Sequence, residues 1–248
     1  MTEKLAINTV HEGDCLELMK RIPDGSVDMI LCDLPYGTTR NKWDSVIPLG
    51  PLWKEYKRVI KERGAIVLTA AQPFNIALAH SNISEYRYEW IWDKKLGSGS
   101  LNVKYQPLRR HENILVFYRK APTYNPQMRK GEYRNKSTSK PSANKGSYGE
   151  IKHIRDNYND LYYPTSILEF SNANVRGRVH PTQKPVALFE YLIRTYTNEG
   201  EIVLDNCIGS GTTAVAAINT GRNFIGIEQE PEYVELARKR IADAYSAI

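Results

Sequence analysis

The stretch Ile202-Val203-Leu204-Asp205-Asn206-Cys207-Ile208-Gly209-Ser210-Gly211-Thr212-Thr213-Ala214 passes from an apolar, β-branched run through a turn with two glycines into a segment of helical period. Ile202 to Asp205 reads as a buried strand and Thr212 to Asn219 as the helix after it. Strand, glycine turn and helix in that order bring backbone close to a nucleoside ligand, because no Cβ stands in the way. Glu228 closes the next apolar run, nineteen residues after Gly209, where a carboxylate can accept the protons of both ribose hydroxyls. The spacing Gly209-x-Gly211-x-x-Ala214 also satisfies a loosened dinucleotide fingerprint, so these residues alone leave a nicotinamide nucleotide and S-adenosylmethionine both open.

Working outward, short β-branched runs predict strands at Ala6 to Val10, Val27 to Cys32, Ala65 to Thr69, Tyr88 to Trp92, Ile114 to Tyr118, Ile202 to Asp205 and Phe224 to Glu228. Helix-period segments fall between them at Leu16 to Arg21, Leu52 to Glu62, Phe74 to His80, Val186 to Thr195 and Thr212 to Asn219, with a last one at Glu232 to Ala247. This alternation predicts an α/β fold, a doubly wound, mostly parallel seven-stranded sheet covered on both faces. The fourth and fifth strands lack a helix between them, which predicts an antiparallel pair at one edge. Lys120 to Asn174 has no sustained period and is rich in Lys, Asn, Ser, Tyr and Gly, as expected of an extended insertion that orders on a partner.

Asp33-Leu34-Pro35-Tyr36 follows the Val27 to Cys32 strand directly. A carboxylate, a stiff turn and an aromatic ring therefore stand together at the carboxyl end of a strand, where open α/β sheets keep their sites. The combination suits an amino group on a flat ring.

Composition bounds the partners. Lys94 to Arg155 holds fifteen basic and three acidic side chains, a net +12, so the rest of the chain carries −6 of the total +6. A basic segment interleaved with Tyr105, Tyr118, Tyr124, Tyr133 and Tyr148 is the pattern of a nucleic-acid contact, with charge for phosphates and rings for bases. Cys15, Cys32 and Cys207 are odd in number and far apart, which argues against a disulfide framework, and the five histidines form no i, i+4 pair. We therefore expect no metal. The N-terminus lacks the basic start and apolar stretch of a leader, and no apolar run is long enough to span a bilayer, so a soluble, cytoplasmic protein is expected.

Together these motifs resemble the amino-group DNA methyltransferases, and their order, catalytic motif first and glycine loop near the C-terminus, is similar to the circularly permuted β group of that family. His180-Pro181-Thr182-Gln183-Lys184-Pro185 resembles the segment before the family's cofactor helix, and Gly13-Asp14-Cys15 its short acidic motif. The resemblance covers about residues 5 to 120 and 178 to 240. Two departures stand out: Leu34 replaces the usual second-position Pro, and Asn206-Cys207 stands where Pro-Phe is common.

The resemblance implies one methyltransferase domain over residues 1–248 with a target-recognition region inserted at 120–177. It implies methyl transfer from S-adenosylmethionine to the N6 amino group of adenine in double-stranded DNA, with N4 of cytosine as the alternative and RNA further off. Asp33, Leu34, Pro35 and Tyr36 are then catalytic: Asp33 and the Leu34 carbonyl accept the two amine protons, Pro35 stiffens the turn, and Tyr36 stacks on the extruded base. The implied cofactor residues are Asp14, Cys15, Asp33, Thr182, Lys184, Asp205, Cys207, Gly209, Gly211, Thr212, Thr213 and Glu228. Asp14 lies near the adenine amino group, although it serves equally as the N-cap of the following helix. Thr182 and Lys184 reach the methionine carboxylate, with a solvated lysine as the other reading of Lys184. Charge and position make Lys94, Lys95, Lys104, Arg109 and Arg110 candidates for contacts to DNA phosphates. A homodimer acting in a prokaryotic or viral host cytoplasm is expected by resemblance alone.

Overall fold

The computed structural model describes residues 3–37, 45–133, 145–146, 149–150, 160–171 and 183–247. It divides into two units, one of Met1–Asn125 with Ser166–Ile248 and one of Pro126–Thr165. The first is built on an eight-stranded sheet: β1 (Thr9–Glu12), β2 (Val27–Asp33), β3 (Ile60–Ala70), β4 (Tyr86–Ser98), β5 (Arg109–Phe117), β6 (Ile167–Glu169), β7 (Ile202–Asp205) and β8 (Asn223–Glu228). Its spatial order is β1-β8-β7-β2-β3-β5-β4-β6. All pairs are parallel except those of β5, which runs against both β3 and β4.

Among the described residues six α-helices cover the sheet: α1 (Cys15–Met19), α2 (Leu49–Val59), α3 (Phe74–Ser81), α4 (Val186–Tyr196), α5 (Thr212–Asn219) and α6 (Pro231–Ser246). Strand alternation divides the core in two. Met29 and Leu31 of β2, with Ala65 and Val67 of β3, pack with apolar residues of α4, α5 and α6. Ile30 and Cys32, with Ile66 and Leu68, pack with those of α1, α2 and α3. Helix α2 shows why the pattern works: Leu52, Trp53, Tyr56 and Val59 recur at helical spacing and are all buried.

The expected sheet and its antiparallel pair are present, with two differences. An eighth strand, β6, lies inside the segment expected to be aperiodic. Three residues are too few to show a period, and β6 exists because Ile167 pairs with Ile91 and Glu169 with Asp93, while Leu168 alone turns inward. Residues 166–171, inside the expected 120–177 insertion, belong to the unit that carries the sheet. Strand β3 also begins at Ile60, well before the expected Ala65, because Lys61, Glu62 and Arg63 extend it with exposed charged side chains that resemble a helix end.

The central feature is the junction of β7 and β2, paired in parallel through Val203–Met29 and Leu204–Ile30. The chain leaves β7 toward β8 on one side and leaves β2 toward β3 on the other. Their carboxyl ends therefore diverge into a crevice, the topological switch point of a doubly wound sheet.

The second unit contains two short antiparallel ladders, Arg129–Lys130 with Leu161–Tyr162 and Lys145–Gly146 with Gly149–Glu150. An ion pair of Lys130 with Asp160 at 3.6 Å and a hydrogen bond from the Tyr162 hydroxyl to the Glu132 carbonyl at 2.9 Å hold the first ladder. Among the described residues no helix is long and apolar enough to cross a membrane.

Candidate active site

A cleft of about 720 Å³ opens at that switch point, and both sequence motifs line it: Asp33 to Tyr36 from the end of β2, and Asp205 to Ser210, with Thr212 and Thr213, from the end of β7. Asp14, Cys15, Lys184 and Glu228 line it as well. Two stretches some 170 residues apart in the chain thus share one cavity because their strands are neighbours.

Asp33 is held from three sides. Its Oδ1 accepts hydrogen bonds from the Tyr36 hydroxyl at 2.8 Å and from the Thr69 hydroxyl, and its Oδ2 takes the Lys184 ammonium at 2.8 Å. Thr69 is the direct register partner of Asp33 on β3, so its place follows from strand pairing. Leu34 packs in the core and also borders the cleft. The Tyr36 ring stacks on Phe74 with centroids 5.5 Å apart and planes at 26°. Burial, reinforced by the Asp33 charge, pushes its phenol well above the usual range, which keeps it a proton donor to Asp33.

Lys184, expected at the methionine carboxylate or in solvent, lines the cleft with its ammonium against Asp33. Only 7% exposed, it bridges Asp33 and Glu112, with Nζ 3.3 Å from Glu112 Oε2, while Glu112 Oε1 accepts from Lys94 Nζ at 3.2 Å. Four charges therefore alternate in sign from Lys94 through Glu112 and Lys184 to Asp33. Burial opposes the charge of Lys184, yet Asp33, Tyr36 and Glu112 hold its ammonium well above the ordinary range. Burial likewise works to raise Glu112, and Lys184 and Lys94 reverse it, leaving the carboxyl below its usual range. Mutual pairing is what makes such burial tolerable.

Lys94 is buried as well. Its ammonium, expected on DNA phosphates, is buried against Glu112 inside the cleft. The side chains of β4 alternate faces, which turns Lys94 inward and leaves Lys95 outside. Lys95 pairs with Glu169, and Arg110 grips Asp93 with two bonds of 2.7 Å. Lys104 and Arg109 are exposed.

At the other end of the cleft, Glu228 is braced by backbone: Oε2 accepts from Gly209 N–H at 2.8 Å, and Oε1 from Gln229 and Glu230 at 2.9 and 3.0 Å. A carboxylate offers about four acceptor directions, and these three N–H groups leave about one. Asp14 caps α1, its Oδ1 accepting from Glu17 N–H at 3.0 Å. Asp205 and Thr213 turn inward: the Thr213 hydroxyl donates to Asp205 Oδ2, and Cys207 N–H to Oδ1 at 3.0 Å. These bonds tie the loop to the start of α5. Gly211 sits at φ +83°, where a side chain is strained, and a Cβ there would lie 3.1 Å from that of Ala237, closer than ordinary contact. Asn206 accepts from the buried Tyr56 hydroxyl, and burial pushes the Cys32 thiol beneath the site up to about 12, consistent with a packing role. Thr182, with His180 and Pro181, lies outside the described residues.

Glycines without obstructing Cβ atoms, a helix start at Thr212 and a carboxylate with a spare acceptor direction fit a nucleoside bearing a carboxylate tail. The sequence reading missed Thr69, Glu112, Phe74 and Tyr56. Only Thr69 left a signal, as the polar end of the strand beside Asp33.

Burial, eased by the Thr213 and Cys207 donors, raises Asp205 from 3.8 to about 7. A raised carboxyl stabilises the fold fully below its unfolded pKa, and that contribution is lost as pH rises through about 7. Asp205→Asn should therefore be less destabilised at pH 8 than at pH 5 relative to wild type. Thermal melts across that range check this, and a constant difference contradicts it.

The N6/N4 DNA methylase family model matches residues 27–239. DNA adenine methyltransferase YhdJ of Escherichia coli K12 is 31% identical over 264 aligned residues, covering 96% of this chain and 85% of that protein. Type II methyltransferase M1.MboII of Moraxella bovis is 30% identical, covering 94% and 96%. Among solved structures, the M1.HpyAVI–SAM complex superposes with a TM-score of 0.63 at 25% identity, covering 94% of this chain and 98% of that one. The cytosine-N4-specific PvuII DNA methyltransferase gives 0.69 at 18% identity, covering 98% and 93%, a likeness of fold alone. With its motifs brought into one cleft and the family model spanning most of its length, the chain belongs to the N6/N4 DNA methylase family and is a DNA methyltransferase.

Proposed function

We propose that this protein transfers the methyl group of S-adenosylmethionine to the N6 amino group of adenine in double-stranded DNA. One observation carries the reading: Asp33 and the Gly209 to Thr213 loop open into a single cleft at the switch point. The 31% identical relative named as an adenine methyltransferase supports adenine as the base.

S-adenosylmethionine supplies an electrophilic methyl on a sulfonium centre. Glu228 holds a ribose hydroxyl, Asp14 keeps one carboxylate oxygen for the cofactor's adenine amine, and the N–H groups at the start of α5 receive the carboxylate. The target amine is a poor nucleophile because its lone pair is delocalised into the ring. Asp33 Oδ1 already accepts two hydroxyls, so the amine proton goes to the free direction on Oδ2, beside Lys184. The Leu34 carbonyl accepts the other proton, and the lone pair is drawn out of the ring plane. Tyr36 stacks on the base with the face opposite Phe74. Alignment of this kind lowers barriers by roughly 7 to 11 kcal/mol in favourable cases. Residues of the Pro126–Thr165 unit read the target sequence, while pairing of two copies and a cytoplasmic location belong to the same proposal by resemblance.

The test is to incubate the protein with methyl-labelled S-adenosylmethionine and duplex DNA, digest to nucleosides and identify the labelled base by mass spectrometry. N6-methyladenine is expected. Label on N4 of cytosine overturns the choice of base.

A further inference from the structure

The segment between β4 and β5 carries apolar side chains where a soluble surface has no use for them. Leu101 is 95% exposed, Tyr105 88% and Val103 56%. They are not on a loose loop. Ser100–Asn102 form a 3-10 turn, and N–H groups of Asn102, Val103, Tyr105 and Gln106 bond back to carbonyls of Gly99, Ser100 and Asn102 at 2.9 to 3.3 Å. The tip is thus an ordered projection that displays its apolar residues at set positions. At its base, Leu96, Gly97 and Ser98 line the same cleft as Asp33. From Lys95 to Arg110 there are four basic residues and no acidic one.

An apolar tip, a basic flank and a root in the catalytic cleft suit one partner, a DNA duplex whose target base must leave the stack before its amine reaches Asp33. Side chains such as Leu and Phe are used elsewhere as wedges between base steps. We propose that the Gly99–Tyr105 tip enters the base stack of the duplex, Leu101 filling the space left by the extruded nucleotide while Lys104 and Arg109 contact the flanking phosphates. The inference rests on the DNA methyltransferase reading above. It assigns a mechanical role to a segment first read only as a source of phosphate contacts.

The test compares wild type with Leu101→Ala, whose side chain supports no packing, under single-turnover conditions with labelled S-adenosylmethionine. One substrate is a fully paired duplex bearing the site that wild type methylates, and a second has an abasic position opposite the target base, which removes much of the cost of extrusion. Leu101→Ala should lose roughly 10- to 100-fold on the paired duplex, and recover to within about threefold of wild type on the abasic one. Tyr105→Ala should show the same pattern more weakly. Wild-type rates on the paired duplex, or equal losses on both substrates, overturn the wedge. Equal losses together with a drop in molecular mass in solution assign the tip to a contact between copies of the chain and overturn it too. Wild-type protein that methylates no DNA at all overturns the underlying reading, and the wedge with it.

Discussion

Replacing Asp33 with alanine should cut methyl transfer at least about a thousandfold while S-adenosylmethionine still binds within a few-fold of wild type. Asp33 lines the cleft with an acceptor direction open to an incoming amine, and its side-chain partners among the described residues, Tyr36, Thr69 and Lys184, lie outside the Gly209 to Thr213 loop. The substitution is also tolerable to the fold, because Lys184 keeps Glu112 as its partner at 3.3 Å and no buried charge is stranded. Single-turnover transfer and calorimetric cofactor binding measure the two effects separately. Near-normal turnover would falsify the mechanism, and lost binding with lost turnover would make Asp33 a structural residue.

Lys184→Met should be the most destabilising change at the site, by about 3 kcal/mol or more, because removing one member of a buried ion pair leaves the others uncompensated. Methionine matches the apolar stem of the lysine, so the loss reports charge rather than volume. Among the described residues Asp33 loses its only cation and Glu112 one of two, with Lys94 remaining at 3.2 Å. Adding Asp33→Asn to Lys184→Met should restore much of the stability, since Asp33 is the carboxylate left without a cation while Glu112 keeps Lys94, but it should not restore turnover. Urea unfolding and methylation rates on the single and double variants give both quantities. A single variant as stable as wild type would show that the alternating chain of charges has no part in holding the site.

How much of this could be read from the chain depends on the range of the interaction concerned. The Ile202–Ala214 motif declared itself because a strand, a positive-φ glycine turn and a helix are each decided within a few residues. Both predicted boundaries of β7 and α5 match the structure for that reason. Strand β6 was illegible because its three residues are extended only through pairing with β4. The ion pairs of Lys94 and Lys184 could not be read from the chain, because the carboxylates they meet lie at the distant positions 33 and 112.

By itself, then, the sequence determined the α/β alternation, the glycine loop, the Asp33 tetrapeptide and the basic insertion, all written in local period, turn chemistry and charge. Tertiary structure alone decided that β2 and β7 lie side by side, that Thr69 and Lys184 converge on Asp33, that Lys94 turns inward, and that Leu101 stands out in solvent. These are outcomes of strand pairing and side-chain burial between residues distant in the chain, and no local pattern encodes which distant partner will arrive.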